Sequence, residues 1–458
     1  MSNRELFSEF QEVSAKQWKQ KIQVDLKGAD YNETLVWESL EGIKVKPFYH
    51  TDDEVPMVQN ERKNGTWKIG FNIDASNALT ANKRALNMLQ RGVESLRFTI
   101  PSEETKITTL LEGIDIKIVP IHLNMAFLSR KYLNEVVEFY GSSLENVSFH
   151  IDPVGQLAKT GNWFDNWNKD FEFLKDTLTG SAANVLSVNL ALYQNAGGNM
   201  VQQLAYGLAH ANEYLNAFIN TNDDPHPKCL TFTVSIGTSY FFEIAKLRAL
   251  RRLWDALIEA YPTDVKMHII ASPTRRNKTL YDYNTNMLRT TTECMAAILG
   301  GADEVMNIPY DAIYHKNNEF SDRIALNQLL LLKNESYFDK VQNAADGAYF
   351  IDTITSQLAE KALILFKSIE KGGGFLKQLK AHTLQRKISE SAQKEQREFE
   401  NGTEVLVGTN KYRNQNDKMK DEIELYPFLK TNPRKTLVQP ILEKRLAESI
   451  EQKRLDDE

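Results

Sequence analysis

Residues 265–335 read as strand, helix, strand, helix: VKMHIIA, then YDYNTNMLRTTTECMAAILGG, then DEVMNIPY, then FSDRIALNQLLLLKNE. A helix-length return between two strands calls for a parallel sheet, because the helix must carry the chain back before the next strand begins. The same alternation runs upstream. Candidate strands lie at 66–73, 95–100, 116–123, 146–152, 185–192, 230–237, 265–271 and 303–309, separated by helix-length segments such as ANKRALNMLQRG and GNMVQQLAYGLAHANEYLNAFI. In SYFFEIAKLRALRRLWDALIEAY, Ile244, Leu247, Leu250, Trp254 and Leu257 recur three or four apart, with Arg248, Arg251 and Arg252 on the other face. Eight such alternations predict an α/β fold, a (β/α)8 TIM barrel. The runner-up, an open doubly wound sheet, lacks its GxGxxG turn.

The flanks read differently. In SAKQWKQKIQVDLKG, Ser14 is placed to cap a helix carrying Trp18, Ile22 and Leu26, with Gly28 at its end. LVWESLEGIKVKPFYH follows as an extended arm that either wraps its own domain or lies on a partner. The division expected is 1–60 for helix and arm, 61–412 for the barrel and 413–458 for a linker and solvated helix. A helix is expected at 349–369, the KGGG run at 371–374 reads as a C-cap and turn, and EVLVGTNKY reads as a short strand.

A net charge of −6 gives no electrostatic reason for a nucleic-acid or membrane partner. Two isolated cysteines, Cys229 and Cys294, argue against a disulfide framework and suit the cytoplasm. Both read as packing residues. The N-terminal residues lack the apolar core of a signal peptide, and no run reaches the ~20 apolar residues of a membrane-spanning helix.

In a barrel, chemistry sits at the C-terminal ends of the strands. His122, His150 and His268 fall on candidate strands, with Asp152 just beyond. Without an HxH pair, the reading favoured is hydrogen-bonded interior histidines, and no metal site is expected. GxSxG, HExxH and P-loop motifs are absent. The residues alone lead to a (β/α)8 protein of unassigned chemistry.

LRTTTECMAAILGGADEVMNIPYD with FSDRIALNQ, SYFFEIAKLRALRRLW, SVNLALYQNAGG, WKQKIQVDLKGADY, EGIKVKPFY and EVLVGTNKY together resemble the methylmalonyl-CoA mutase family, from about Trp18 to Tyr412. The resemblance implies a barrel that encloses an acyl-CoA. It also implies adenosylcobalamin, held by a separate domain over the barrel, for radical interconversion of methylmalonyl-CoA and succinyl-CoA.

Departures from the family pattern shape what is expected of this chain. Leu192 stands where the family has a histidine on the substrate thioester carbonyl, and the following run is Gln194, Asn195, Ala196, Gly197, with Asn195 in place of a cobalamin-contacting glutamate. Asn72 replaces a tyrosine of the first barrel strand. The arginine-asparagine-threonine-glutamine motif reads Leu326, Asn327, Gln328, Leu329. A positioned acid–base group contributes ~10²–10⁴ in rate, and leucine offers none. No DxHxxG occurs, so no cobalamin-binding flavodoxin-like domain is expected. The resemblance thus implies a non-catalytic small subunit, paired in a heterodimer with a catalytic large subunit that carries the adenosylcobalamin; this chain alone is expected to bind no cofactor. The alternative is an active acyl-CoA mutase barrel of the isobutyryl-CoA mutase type, using a cobalamin domain on another chain. The bore is expected to be filled by side chains such as Phe71, Phe98 and Leu192.

Overall fold

The computed structural model describes residues 9–53, 66–180, 184–219, 227–431 and 433–458. Eight parallel strands close a barrel: β1 (Lys68–Asp74), β2 (Ser95–Ile100), β3 (Ile121–Met125), β4 (Val147–Ile151), β5 (Asn184–Asn189), β6 (Cys229–Ile236), β7 (Lys266–Pro273) and β8 (Glu304–Met306). Closure comes from β8 on β1, with Glu304, Val305 and Met306 opposite Lys68, Ile69 and Gly70. The expected fold is therefore the observed one. Cys229 opens β6 rather than preceding it.

Capping residues set where the outer helices begin. Asn77, Ser129, Asp152, Asn199 and Asn318 each accept from a backbone N–H in the first turn, and Pro153 follows Asp152 where its missing N–H costs nothing. Residues 116–119 are turn rather than strand, and Ile118 is 74% exposed. The run at 185–192 stops pairing at Asn189, and Leu192 belongs to a short helix, Ala191–Asn195. EVLVGTNKY forms only an isolated bridge between Val407 and Lys411.

Strand alternation decides what faces the bore. Phe71 lies under the Arg84 guanidinium of the helix Ala78–Gln90, and Phe232 packs edge-on against Trp254 of Tyr240–Ile258, so both point outward. Ser95 Oγ reaches Glu304 across the interior at 2.5 Å. Arg97 shares that inward parity; Leu96, Phe98 and Ile100 take the other. Phe71 and Phe98 thus belong to the layer between barrel and helices, and neither fills the bore. Polar side chains line it instead: Arg97, His122, His150, His268 and Glu304. Asn72 is exposed between buried Phe71 and Ile73, so water reaches the bore at that level. Gly70 is required there, since a Cβ would lie 2.7 Å from Met306 Cγ and 3.0 Å from Ser95 Oγ.

The first helix, Ala15–Asp25, has the Ser14 cap as a reciprocal box with Gln17, and none of its residues is buried. The arm makes a two-stranded ribbon, Trp37–Glu38 against Lys44–Val45. The boundary at 60/61 lies outside the described residues. Tyr349–Lys371 packs on Tyr240–Ile258 and Met200–Phe218, and ends at Gly372–Gly374 as the KGGG reading expects. Arg248 is not on a wet face: it is 1% exposed, paired with Asp346 and with Asp352 at 2.7 Å. Nor is the C-terminal helix Glu448–Asp456 uniformly solvated, because Glu448 and Glu451 are buried. Among the described residues, no helix is long and apolar enough to cross a membrane.

Candidate functional site

Three loops form the C-terminal mouth of the barrel on the side of β5, β6 and β7. After β5 the chain turns through Ala191–Asn195 and Gly197 (φ +93°) into Met200–Phe218, whose cap, Asn199, forms a reciprocal box with Gln202. Leu192 is 1% exposed and part of the main apolar core. Gln194 donates to Glu243 Oε1 at 3.3 Å and accepts from Lys246 Nζ at 3.2 Å. Lys246 also donates to Gln203 Oε1 and the Ser235 carbonyl, and it pairs with Glu243 at 2.5 Å. Burial lowers its pKa, and Glu243 opposes that shift. A buried ammonium with this many acceptors is a fixed strut rather than a mobile base.

Asn195 is equally occupied. Its Oδ1 accepts from Thr274 Oγ1 at 2.7 Å and from the Arg275 N–H at 3.3 Å, and its Nδ2 donates to Glu443 Oε1 at 2.8 Å. Glu443 belongs to an extended strap, residues 433–447, that crosses this side of the mouth. Leu437 N donates to Gly161 O, Ile441 N to Ala158 O, Lys444 N to Asn195 O and Leu446 N to Arg276 O. Arg445 Nη1 reaches the Lys278 carbonyl at 2.9 Å. These bonds tie the loops after β4, β5 and β7 to one segment.

Beside the strap is a cavity of about 240 Å³, lined by Gln194, Arg276, Glu395, Glu398 and Glu404 among others. Arg276 pairs with Glu395 at 2.5 Å. Burial, with Glu395 and Glu398 nearby, pushes Glu404 up to about 7 from its ordinary 4.5. The folded chain then holds a proton that the unfolded chain releases between those two values. Stability from this group is present below pH 4.5 and falls as pH rises to about 7. A thermal-melt series from pH 5 to pH 8 is expected to slope downward, and Glu404→Gln to flatten it; an unchanged slope in the variant would place the proton elsewhere.

The other singled-out positions are scattered. Asn72 faces the bore on β1. Leu326, Asn327 and Gln328 lie on Glu319–Asn334, after β8 and three strands from β5. Leu326 is buried, Asn327 exposed, and Gln328 donates to the Met287 carbonyl and to Thr291 Oγ1, each at 2.6 Å. The structure thus joins Leu192, Gln194 and Asn195 at one rim and leaves the helix positions outside it.

The histidines do converge, on a residue that sequence patterning passed over. His122 Nε2 lies 3.1 Å from both oxygens of Glu304, His268 Nε2 lies 3.1 Å from Glu304 Oε1, and His122 Nδ1 lies 3.0 Å from His150 Nε2. Burial opposes ionisation of Glu304, but His122 and His268 outweigh it and hold the carboxyl well below its usual range. Asp152 joins a different network outside the bore, with His210 at 2.8 Å and Tyr214 at 2.6 Å. Cys294 is buried in Thr285–Leu299; burial pushes both thiols up, Cys229 to about 12, so neither is a ready nucleophile.

Residues 102–453 match the family model for methylmalonyl-CoA mutase. A Porphyromonas gingivalis protein described as methylmalonyl-CoA mutase small subunit is 33% identical over 450 residues, covering 92% of this chain and 73% of the relative. A Streptomyces virginiae protein of the same description is 27% identical, covering 89% and 71%. A methylmalonyl-CoA mutase of Rhizobium meliloti is 28% identical, covering 90% and 66%. With the family model matching well over half of its length, this chain belongs to the methylmalonyl-CoA mutase family.

Proposed function

We propose that the chain is a catalytically silent small subunit of an adenosylcobalamin-dependent methylmalonyl-CoA mutase, stabilising a catalytic large subunit in the cytoplasm. The carrying observation is the rim after β5. Leu192 is core, and the polar side chains of Gln194 and Asn195 are engaged within the chain. Leu192 offers a thioester carbonyl no donor, and a carbonyl or a corrin would have to compete with the partners that already hold Gln194 and Asn195. In this reading the cofactor and the isomerisation reside on the partner. Residues 1–60 are then the partner contact, 61–412 the barrel and 413–458 the linker and helix. Trp18 at 48% and Val24 at 71% exposure, on a helix with no buried residue, support that assignment.

Co-expression with a catalytic large subunit is expected to yield a one-to-one complex whose turnover needs the large subunit. Failure of the two chains to co-purify would sink the reading. Turnover by this chain with only a separate cobalamin-binding domain would establish the active-barrel alternative instead.

A further inference from the structure

Three of the side chains that meet inside the bore lie near the N-terminal ends of their strands, away from the mouth. His122 is the second residue of β3, His268 the third of β7 and Glu304 the first of β8. One ligand atom from each lies within 4.8 Å of the other two. Ligand atoms bonded to one tetrahedral zinc ion at about 2.0–2.1 Å stand about 3.3 Å apart. The observed separations of 3.1 Å from each imidazole Nε2 to the carboxylate are close to that spacing.

Groups beyond these three suit the same purpose. His150 Nε2 lies 3.0 Å from His122 Nδ1, so it can accept the Nδ1 proton once His122 presents its Nε2 lone pair to a cation. His150 is 4% exposed, and among the described residues its Nδ1 has no hydrogen-bond partner, which leaves this ring less constrained than the others. Ser95 Oγ holds the second Glu304 oxygen, and Asp303 Oδ2 stands 3.8 Å from His268 Nδ1. His268 is 29% exposed, which leaves an approach from solvent.

The ion class follows from charge and ligand type. Arg97, buried on β2, already opposes Glu304, so a hard cation relying on carboxylate charge gains little. Two imidazoles favour a borderline ion. We propose that His122, His268 and Glu304 bind one divalent ion of the zinc class across the bore, linking β3 to β7 and β8. Each imidazole presents its Nε2 lone pair to the ion: on His122 the remaining ring proton sits on Nδ1, toward His150 Nε2, and only a proton in excess of that one leaves to solvent. Sited away from the mouth, the ion is structural.

The full chain, stripped with a chelator, is loaded separately with Zn²⁺ and Co²⁺, freed of unbound metal by gel filtration, and analysed for metal content and melting temperature. One ion per chain, a raised melting temperature and the visible absorption of four-coordinate Co²⁺ are expected. His268→Ala, at the most exposed ligand, is expected to weaken binding by more than the roughly 10–100-fold that follows loss of an outer-shell partner. Glu304→Gln is expected to do the same with little change of shape. A wild-type chain that retains no stoichiometric ion overturns the proposal without reference to any variant. So does a folded His268→Ala chain that retains the full complement.

Discussion

Replacing Glu293 by alanine is expected to destabilise the chain by about 3–5 kcal/mol, the range for stranding one member of a buried ion pair. Lys278 Nζ lies 2.7 Å from Glu293 Oε2 and 3.0 Å from Oε1, with both side chains at most 2% exposed. Asn277 completes the set: Nδ2 donates to Glu293 at 2.6 Å, and Oδ1 accepts from Lys278 at 2.6 Å. Burial lowers the Lys278 pKa and raises that of Glu293; each partner opposes the shift of the other. Without the carboxylate, the ammonium keeps, among the described residues, only the Asn277 acceptor. The urea midpoint should fall, whereas Lys278→Met with Glu293→Leu should recover most of it, since an apolar replacement of the whole pair is often neutral. A loss below about 1 kcal/mol in the single variant would mean that water reaches Lys278 and screens it as at a surface.

Leu192→His is the second large effect, and it bears directly on function. It restores the residue type that the family resemblance places on the substrate carbonyl. The site is 1% exposed in the apolar core, so the variant loses leucine packing and buries an imidazole without a prepared partner. A cost of about 3–5 kcal/mol is expected from the two together. Measured turnover with a separate cobalamin-binding domain should stay at background, because Gln194 and Asn195 remain engaged. Turnover rising by the ~10²–10⁴ of a positioned acid–base group would show a barrel one substitution from activity, and would defeat the silent-subunit proposal.

The barrel was legible because its alternation of strand and helix leaves few other topologies, and Ser95–Ile100 is read to the residue. Legibility fails where two buried structures share one composition. Residues 185–192, VLSVNLAL, are an apolar-rich run, yet pairing stops at Asn189 and a short helix follows, a distinction such runs do not encode. Orientation is hard to read for a related reason. Both faces of a parallel barrel strand are covered, so Phe71 and Phe98 look equally suited to bore and helix layer. The inward set announces itself by polarity at alternate positions, Ser95 and Arg97 on one strand and Glu304 on another. Glu304 was passed over because it adjoins Asp303 in what reads as a charged strand start. The buried glutamates of the C-terminal helix escaped notice because charge alone suggests water; their partners, Leu280 N for Glu451 and Leu429 N for Glu448, lie elsewhere in the chain.

That dependence bears on synthesis. The amide of Leu280, in the loop after β7, finds its acceptor in Glu451, 171 residues later. At about 5–20 residues per second, a ribosome completes that interval in roughly 10–35 s. All eight strands, the last ending at Met306, are synthesised before the strap at 433–447 that joins their loops. Once β8 has been made, the nascent chain has every strand of its sheet but not the strap, and the Leu280 amide still awaits its acceptor.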